Sequence, residues 1–241
     1  MSIKLALFDL DHTLLPVDSC GIWAYFLISH CGAKAEEYKK QQEKFDQDYF
    51  QGILDIEEFM DFEMFLMNNF KRKELDQLRE EYFNRFIKPV FTLEAKQLVQ
   101  SYRQNGAKTA IVTATQRYPV EPIADLFEVD ILIASEPEID TEGEFTGGWL
   151  YHTYKEGKVK AIKKLLKQVE FEKIQWSEIA FYSDSINDLP LLSLVAEQGG
   201  KAVATNPDER LRSIAHENGW EILQLLNYKQ NPEFHHVENY L

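Results

Sequence analysis

The chain has 241 residues, 44% of them hydrophobic and 27% charged, which excludes a disordered, collagenous or membrane-embedded polypeptide and suits one large α/β domain or a core carrying a small extra domain. Its 40 acidic and 26 basic residues give a formal charge of −14, which repels a phosphate backbone and excludes nucleic acid as a partner. No apolar run reaches the roughly 20 residues that span a bilayer, Met1 opens directly on a strand pattern, and Cys20 and Cys31 lie too far apart to bridge within one helix, so a cytoplasmic protein with reduced thiols and no membrane partner is expected.

Ile3-Lys-Leu-Ala-Leu-Phe8 is a short apolar run closed by Asp9, the pattern of a buried strand in a parallel sheet. Asp9 and Asp11 share one side of that strand if it continues. Two like charges at the carboxyl end of a buried strand require a cation or a proton between them, and that end is where open α/β sheets bind ligands. A simple turn after the strand is the alternative, since aspartate favours turns. From about residue 17 to residue 88 the strand rhythm stops and the segment reads as successive helices. Ile22, Trp23, Phe26 and Leu27 form one apolar stripe, Phe59, Met60, Met64 and Met67 a second, and Leu75, Leu78, Tyr82 and Phe86 a third. Glu57, Glu58, Asp61 and Glu63 read as the wet face of one such helix, and Asp18 as a cap ahead of Ile22.

Strands then alternate with helices. Thr109–Val112 follows a helix stopped by Asn105-Gly106, and Ile131–Ala134 follows one opened near Pro119 and Pro122. Phe145-Thr-Gly-Gly-Trp149 reads as a glycine turn between two short strands. A helix over Lys158–Val169 leads to the strand Ile179–Ser183, and Lys201–Ala204 and Trp220–Leu223 are further strands. This rhythm predicts a doubly wound, Rossmann-like parallel sheet with an inserted helical unit. Asp184, Asn187 and Asp188 crown another strand end with the oxygen ligands magnesium prefers, or else cap the helix beginning near Asn187. Thr113 ends a strand and Lys158 opens a helix; each alone reads as structural. Residues 227–241, with His235-His236, read as a solvated tail.

Taken in order, the acid pair, threonine, lysine and second acid pair resemble the four motifs of the haloacid dehalogenase superfamily. Tyr-Ser-Asp-Ser-Ile-Asn-Asp-Leu-Pro-Leu-Leu, Val-Thr-Ala-Thr and Glu-Gly-Lys-Val are similar to the branch that includes phosphoserine phosphatase, over residues 3 to about 224. The resemblance implies a catalytic core of residues 1–16 and 89–224, a helical cap of residues 17–88 and a tail of residues 225–241. It also implies a phosphatase, because the superfamily's dehalogenases lack the second aspartate of the first pair. In that scheme Asp9 is the nucleophile and Asp11 the general acid and base, while Thr113, Ala114 and Lys158 bind the phosphoryl group. Asp9, the Asp11 carbonyl and Asp184 hold Mg2+, with Asp188 and Asn187 steadying the ion's waters. The partner is then a small phosphorylated metabolite.

Asp18 stands where phosphoserine phosphatases carry an acid that binds the substrate amine. Ile53–Met67 does not match their segment bearing a carboxylate-binding arginine, and Cys20 stands where related hydrolases often have an acid. An amine-bearing monoester without a carboxylate fits this pattern, such as histidinol phosphate, phosphoethanolamine or phosphocholine. Phosphoserine hydrolysis, phosphotransfer or mutase chemistry through the same intermediate, and a non-catalytic binding module are the alternatives.

Overall fold

Four consecutive buried residues, Leu5–Phe8, form the central strand β1 in the computed structural model, which describes residues 2–226. Their side chains alternate between two apolar layers, because successive residues of a strand point to opposite faces. Leu5 and Leu7 pack with Ile162, Leu191, Leu192 and Val195, whereas Ala6 and Phe8 pack with Ala95, Val99, Ile123 and the helices that follow β1. A strand covered on both faces must be apolar throughout, and this one is.

The remaining strands are β2 (Lys108–Gln116), β3 (Ile131–Ile139), β4 (Phe145–Tyr151), β5 (Ile179–Ser183), β6 (Lys201–Thr205) and β7 (Glu221–Leu223). They assemble in the order β4-β3-β2-β1-β5-β6-β7, parallel except where β3 meets β4. The predicted doubly wound α/β sheet is therefore present. The chain leaves β1 for β2 on one side and later returns to β5 on the other, so a topological switch lies at the carboxyl end of β1.

Between β1 and β2 the regular elements are helical: α1 (Ser19–Ser29), α2 (Ala35–Gln51), α3 (Ile56–Asn68), α4 (Arg72–Tyr82) and α5 (Leu93–Gln104). A π-turn over Phe83–Ile87 and a 3-10 turn over Lys88–Val90 join α4 to α5. Asp18 caps α1 by accepting from Gly21 N, and Asp55 caps α3. The three predicted apolar stripes pack inward, with Trp23 edge-on to Tyr82 and Tyr118. Trp149 of β4 donates its indole N–H to Asp61 at 2.9 Å, and the Arg79 guanidinium lies 4.2 Å from the Tyr118 ring centre, so the insert is anchored on both β4 and α6 (Arg117–Phe127). Three further helices complete the layers: α7 (Glu156–Leu165), α8 (Leu189–Glu197) and α9 (Glu209–Asn218).

Several expectations need correction. Glu63 is not on the wet face with Glu57, Glu58 and Asp61; it is 2% exposed, because it falls between the buried Met60 and Met67 on the inner side of α3. The turn of the hairpin is Asp140–Glu144 rather than the glycine pair, since the Asp140 carboxylate accepts from Glu142 N and Glu144 N while Gly143 supplies positive φ. Gly147 and Gly148 lie within β4 itself. Helix α7 starts two residues early, where a Cβ on Gly157 would meet the His152 carbonyl at 2.6 Å. It ends at Leu165, tightening into turns that bury Phe171. Cys20 and Cys31 are unpaired. Leu225 and Leu226 still belong to the packed body, donating their N–H groups to Asn206; residues 227–241, with His235 and His236, lie outside the described residues. No helix among the described residues is long and apolar enough to cross a membrane.

Trp23→Ala should lower the unfolding free energy by about 3–5 kcal/mol in a urea titration, since it removes a fully buried indole shared by insert and sheet. A loss below about 1 kcal/mol would show that the insert does not share the core.

Candidate active site

The sheet ladder carries Asp9 one residue past β1, its N–H donating to the Tyr182 carbonyl at 2.9 Å. There the chain turns: Leu14 N and Leu15 N both donate to the Leu10 carbonyl, and His12 takes a φ of 57°. Asp9 and Asp11 are thus brought together by a tight loop and not by a continuing strand. Asn206, itself at a φ of 50°, clamps that loop by donating to the carbonyls of His12 and Thr13. Asp184 leaves the neighbouring strand β5, so its carboxylate and that of Asp9 meet across the switch point.

Lys158 crosses from α7 to the same place. Its Nζ donates to Asp9 Oδ1 at 2.7 Å and to Asp188 Oδ2 at 2.6 Å, with Lys158 only 2% and Asp188 3% exposed. Ser183 Oγ is a second donor to Asp188 Oδ2, at 2.7 Å. The Thr13 hydroxyl lies 3.1 Å from Asp9 Oδ2 and 3.0 Å from Asp184 Oδ1, and accepts from Asp184 N at 2.9 Å. Its single hydrogen serves one carboxylate at a time.

One ammonium therefore pairs with two buried carboxylates, while a third, the half-buried Asp184, stands beside Asp9 without one. Burial works against the Lys158 charge, but Asp188 and Asp9 outweigh it and hold its pKa above the ordinary lysine value. Burial raises the Asp9 carboxyl despite Lys158, raises Asp188 to about 6, and together with the Asp9 charge raises Asp184 well above the ordinary range. Asp184 has no cation partner among the described residues and converges on Asp9, whose Oδ2 Lys158 does not contact, and the two supply the oxygen ligands a hard divalent ion takes. Among the described residues no group of three histidine, cysteine or acidic side chains is arranged to hold a metal, so an ion here would complete its sphere with backbone oxygen and water.

Asp11 sits beside this cluster with its two oxygens separately held: Oδ1 accepts from Ser19 N and Oδ2 from Thr115 Oγ1, each at 2.8 Å. Burial, and then the nearby Asp18 charge, push its pKa up. Asp18 keeps its capping bond to Gly21 N, and burial pushes its pKa up to about 6. The end of β2 is braced from behind: Thr113 Oγ1 accepts from Thr115 N, the Thr113 carbonyl accepts from Thr153 Oγ1 at 2.5 Å, and the Ala114 carbonyl accepts from Ser135 Oγ at 2.6 Å. Asn187 Oδ1 accepts from the Tyr154 hydroxyl at 3.2 Å. Sequence reasoning named Asp9, Asp11, Lys158, Asp184 and Asp188, which the fold unites, but missed Thr13, Ser183, Thr115 and Glu63. Thr13 and Ser183 had a signal: each is a hydroxyl within five residues of an acid at a strand end.

The family model for haloacid dehalogenase-like hydrolases matches residues 6–193. A histidinol-phosphatase of Neisseria meningitidis is 35% identical over 221 residues, which is 91% of this chain and 98% of that protein. A phosphoserine phosphatase of Mycobacterium tuberculosis is 36% identical over 62% of this chain and 46% of its own length. Among solved structures, a protein of unknown function from Bordetella pertussis has a TM-score of 0.83 at 34% identity, covering 94% of this chain and all of its own. A substrate-bound phosphoserine phosphatase has a TM-score of 0.66 at 15% identity over 97% of this chain and 99% of its own, which shows a shared fold. With this match and the doubly wound sheet carrying Asp9, Lys158 and Asp184 at its switch point, the chain belongs to the haloacid dehalogenase-like hydrolases.

Proposed function

We propose that the chain is a magnesium-dependent phosphatase that cleaves a small phosphate monoester by way of a phosphorylated Asp9. The observation that carries this reading is the Lys158 ammonium held against Asp9 among surplus carboxylates. The Lys158 contact favours the ionised form of Asp9 against the burial that raises its pKa, and leaves its other oxygen, Oδ2, beside the Thr13 hydroxyl, facing Asp184. A phosphoryl group is a trianion-like centre in the transition state, so catalysis there is chiefly positioning and charge neutralisation.

In this mechanism an Asp9 oxygen attacks phosphorus and the ester P–O bond breaks, while Asp11 gives its proton to the leaving oxygen. The raised pKa of Asp11 suits it to arrive protonated. Asp11, now ionised, takes a proton from water, whose oxygen attacks the same phosphorus; inorganic phosphate leaves and the Asp9 carboxylate is restored. Ser19 N and Thr115 Oγ1 hold Asp11 in place through both half-reactions. Thr113 Oγ1 keeps its hydrogen free to donate to a phosphoryl oxygen, and the Ala114 N–H and Lys158 complete the phosphoryl cradle. Asp9, Asp184 and the Asp11 carbonyl would hold magnesium, Asp188 standing behind them on Lys158 and Ser183; the ion supplies positive charge to the phosphoryl oxygens. Helices α1–α4, the proposed cap, cover the site from solvent, with Tyr49 of α2 packed on Tyr154 at 6.1 Å between ring centres.

For the substrate we propose a monoester carrying an amine and no carboxylate, the class to which histidinol phosphate belongs. The relative from N. meningitidis named a histidinol-phosphatase supports this. So does the engagement of the insert's arginines elsewhere: Arg72 and Arg79 with Asp76 and Tyr118, and Arg85 with Glu81. Asp18 is the acid proposed to meet the amine.

Asp9→Asn should lower magnesium-dependent phosphate release from such an ester on the order of 10³-fold or more, and Asp11→Asn by about 10²–10⁴-fold, both measured by phosphate assay under saturating substrate. Undiminished release in Asp9→Asn would overturn the mechanism. The metal also has a signature independent of turnover. A carboxyl whose folded pKa is raised is destabilising once ionised, so metal-free protein loses the contributions of Asp9 and Asp184 as pH climbs from the ordinary carboxylate value through their raised ones. Magnesium should therefore raise Tm more at pH 7 than at pH 5 in a thermal melt; an equal rise at both would argue against these carboxylates as its ligands.

A further inference from the structure

Burial without a hydrogen-bond partner is concentrated in one place. Among the described residues the buried side-chain atoms lacking a partner are Ser19 Oγ, Trp23 Nε1, Gln42 Oε1, Glu63 Oε1 and Gln116 Oε1, all on α1, α2, α3 or the last residue of β2. Native proteins leave few such atoms, and a cluster of them marks a missing partner.

Glu63 and Gln116 are the sharpest case. Glu63 Oε2 accepts from both the Gln116 amide and the Cys20 thiol, the latter at 3.4 Å, while Oε1 accepts from nothing. Gln116 is 1% exposed, and its own Oε1 is equally unpartnered. Cys20 follows Ser19 and Gln116 follows Thr115, the two residues that hold the Asp11 carboxylate. Cys20, the donor to Glu63, is in electrostatic reach of Asp11 as well as Glu63, so the Glu63–Gln116 pair lies in the neighbourhood of the proposed proton donor. Among the described residues no lysine or arginine forms an ion pair with Glu63, Asp18 or Asp46, although Asp18 and Asp46 both bear on Glu63 electrostatically. The site is bipolar, with Lys158 at the phosphoryl end and uncompensated acid at the other.

We propose that Glu63 and Gln116 form the specificity subsite for the leaving group and select a cationic nitrogen group with at least two N–H donors, one for each open oxygen. The inference rests on the reading of Asp9 as nucleophile and Asp11 as proton donor, and it narrows the substrate class. A primary ammonium or an imidazolium satisfies both oxygens, while a quaternary ammonium such as that of phosphocholine brings charge but no donor. Without such a cation, burial pushes the Glu63 carboxyl up to about 8, so it is largely neutral at pH 7 and ionises when the cation arrives.

The test uses the full chain with magnesium and four esters: 3-aminopropyl phosphate, histidinol phosphate, phosphocholine and propyl phosphate. The wild type should favour the first two over propyl phosphate at least tenfold in kcat/KM, with phosphocholine ranking beside propyl phosphate. Glu63→Gln and, separately, Gln116→Leu should each shrink the ratio of 3-aminopropyl to propyl phosphate at least tenfold, chiefly through KM. Ratios unchanged in both variants, with hydrolysis intact, would overturn the subsite and leave the phosphatase reading standing. Should the wild type hydrolyse none of the esters, the phosphatase reading fails on its own. The subsite is then decided by thermal shift with histidinol, which should raise the Tm of wild type and not of Glu63→Gln; no shift in either protein would overturn it.

Discussion

Lys158 Nζ touches Asp9 and Asp188 at 2.7 and 2.6 Å, all three nearly cut off from water, while the half-buried Asp184 crowds Asp9. Burying an ion is costly unless it is paired, and removing one partner of such a pair typically costs about 3–5 kcal/mol. Here the imbalance is built in, because three carboxylates meet one ammonium. A centre of this kind is stable only if something positive joins it, or if protons neutralise the surplus. Both ways out suit phosphoryl transfer, in which a metal and an anionic phosphate enter together and a nearby carboxyl must gain and lose a proton. The charge arrangement is thus inseparable from the proposed activity of Asp9 and Asp11.

The fold is what enforces the imbalance. β1 lies between β2 and β5, so the ends of β1 and β5 bring Asp9 and Asp184 together, and the last turn of β2 carries Thr115 to Asp11. Asn206 ties the loop after β1 to the far side of the sheet by donating to His12 and Thr13, and Thr153 and Ser135 brace the end of β2. Asp9, Asp11 and Asp188 are each held by more than one donor, as preorganised electrostatics requires. Helices α1 to α3 contribute the opposite pole. Among the described residues no lysine or arginine pairs with their acids, Asp18, Asp46 and Glu63, which makes this the pole proposed to take a cation.

The core of this was legible in the chain because strand ends announce themselves. An apolar run closed by an acid, as at Phe8-Asp9 and Ser183-Asp184, places a carboxylate at a buried edge where it is costly unless a cation or a proton meets it. Lys158 gained meaning only from its order among the other motifs, since a lone lysine at a helix start normally faces water. Glu63 was misread for a physical reason. It stands amid Glu57, Glu58 and Asp61 on one helix, and only the direction of the α3 axis, set by packing of Met60, Met64 and Met67, turns it inward while the others stay out. Thr13 was overlooked because a threonine in a turn usually serves the turn. The glycine pair at 147–148 misled for a similar reason, since Asp140 can build its own turn with side-chain acceptors while glycine also occurs inside strands.

Everything proposed for this site turns on a covalent bond between phosphorus and Asp9. That bond can be trapped by rapid acid quench of the magnesium-loaded enzyme during turnover of a 32P-labelled aminoalkyl phosphate, followed by peptide mapping. Label should appear on the peptide containing Asp9, be lost in alkali as an acyl phosphate is, and be absent after Asp9→Asn. Turnover with no labelled peptide, or label on another residue, would show that phosphate does not pass through Asp9.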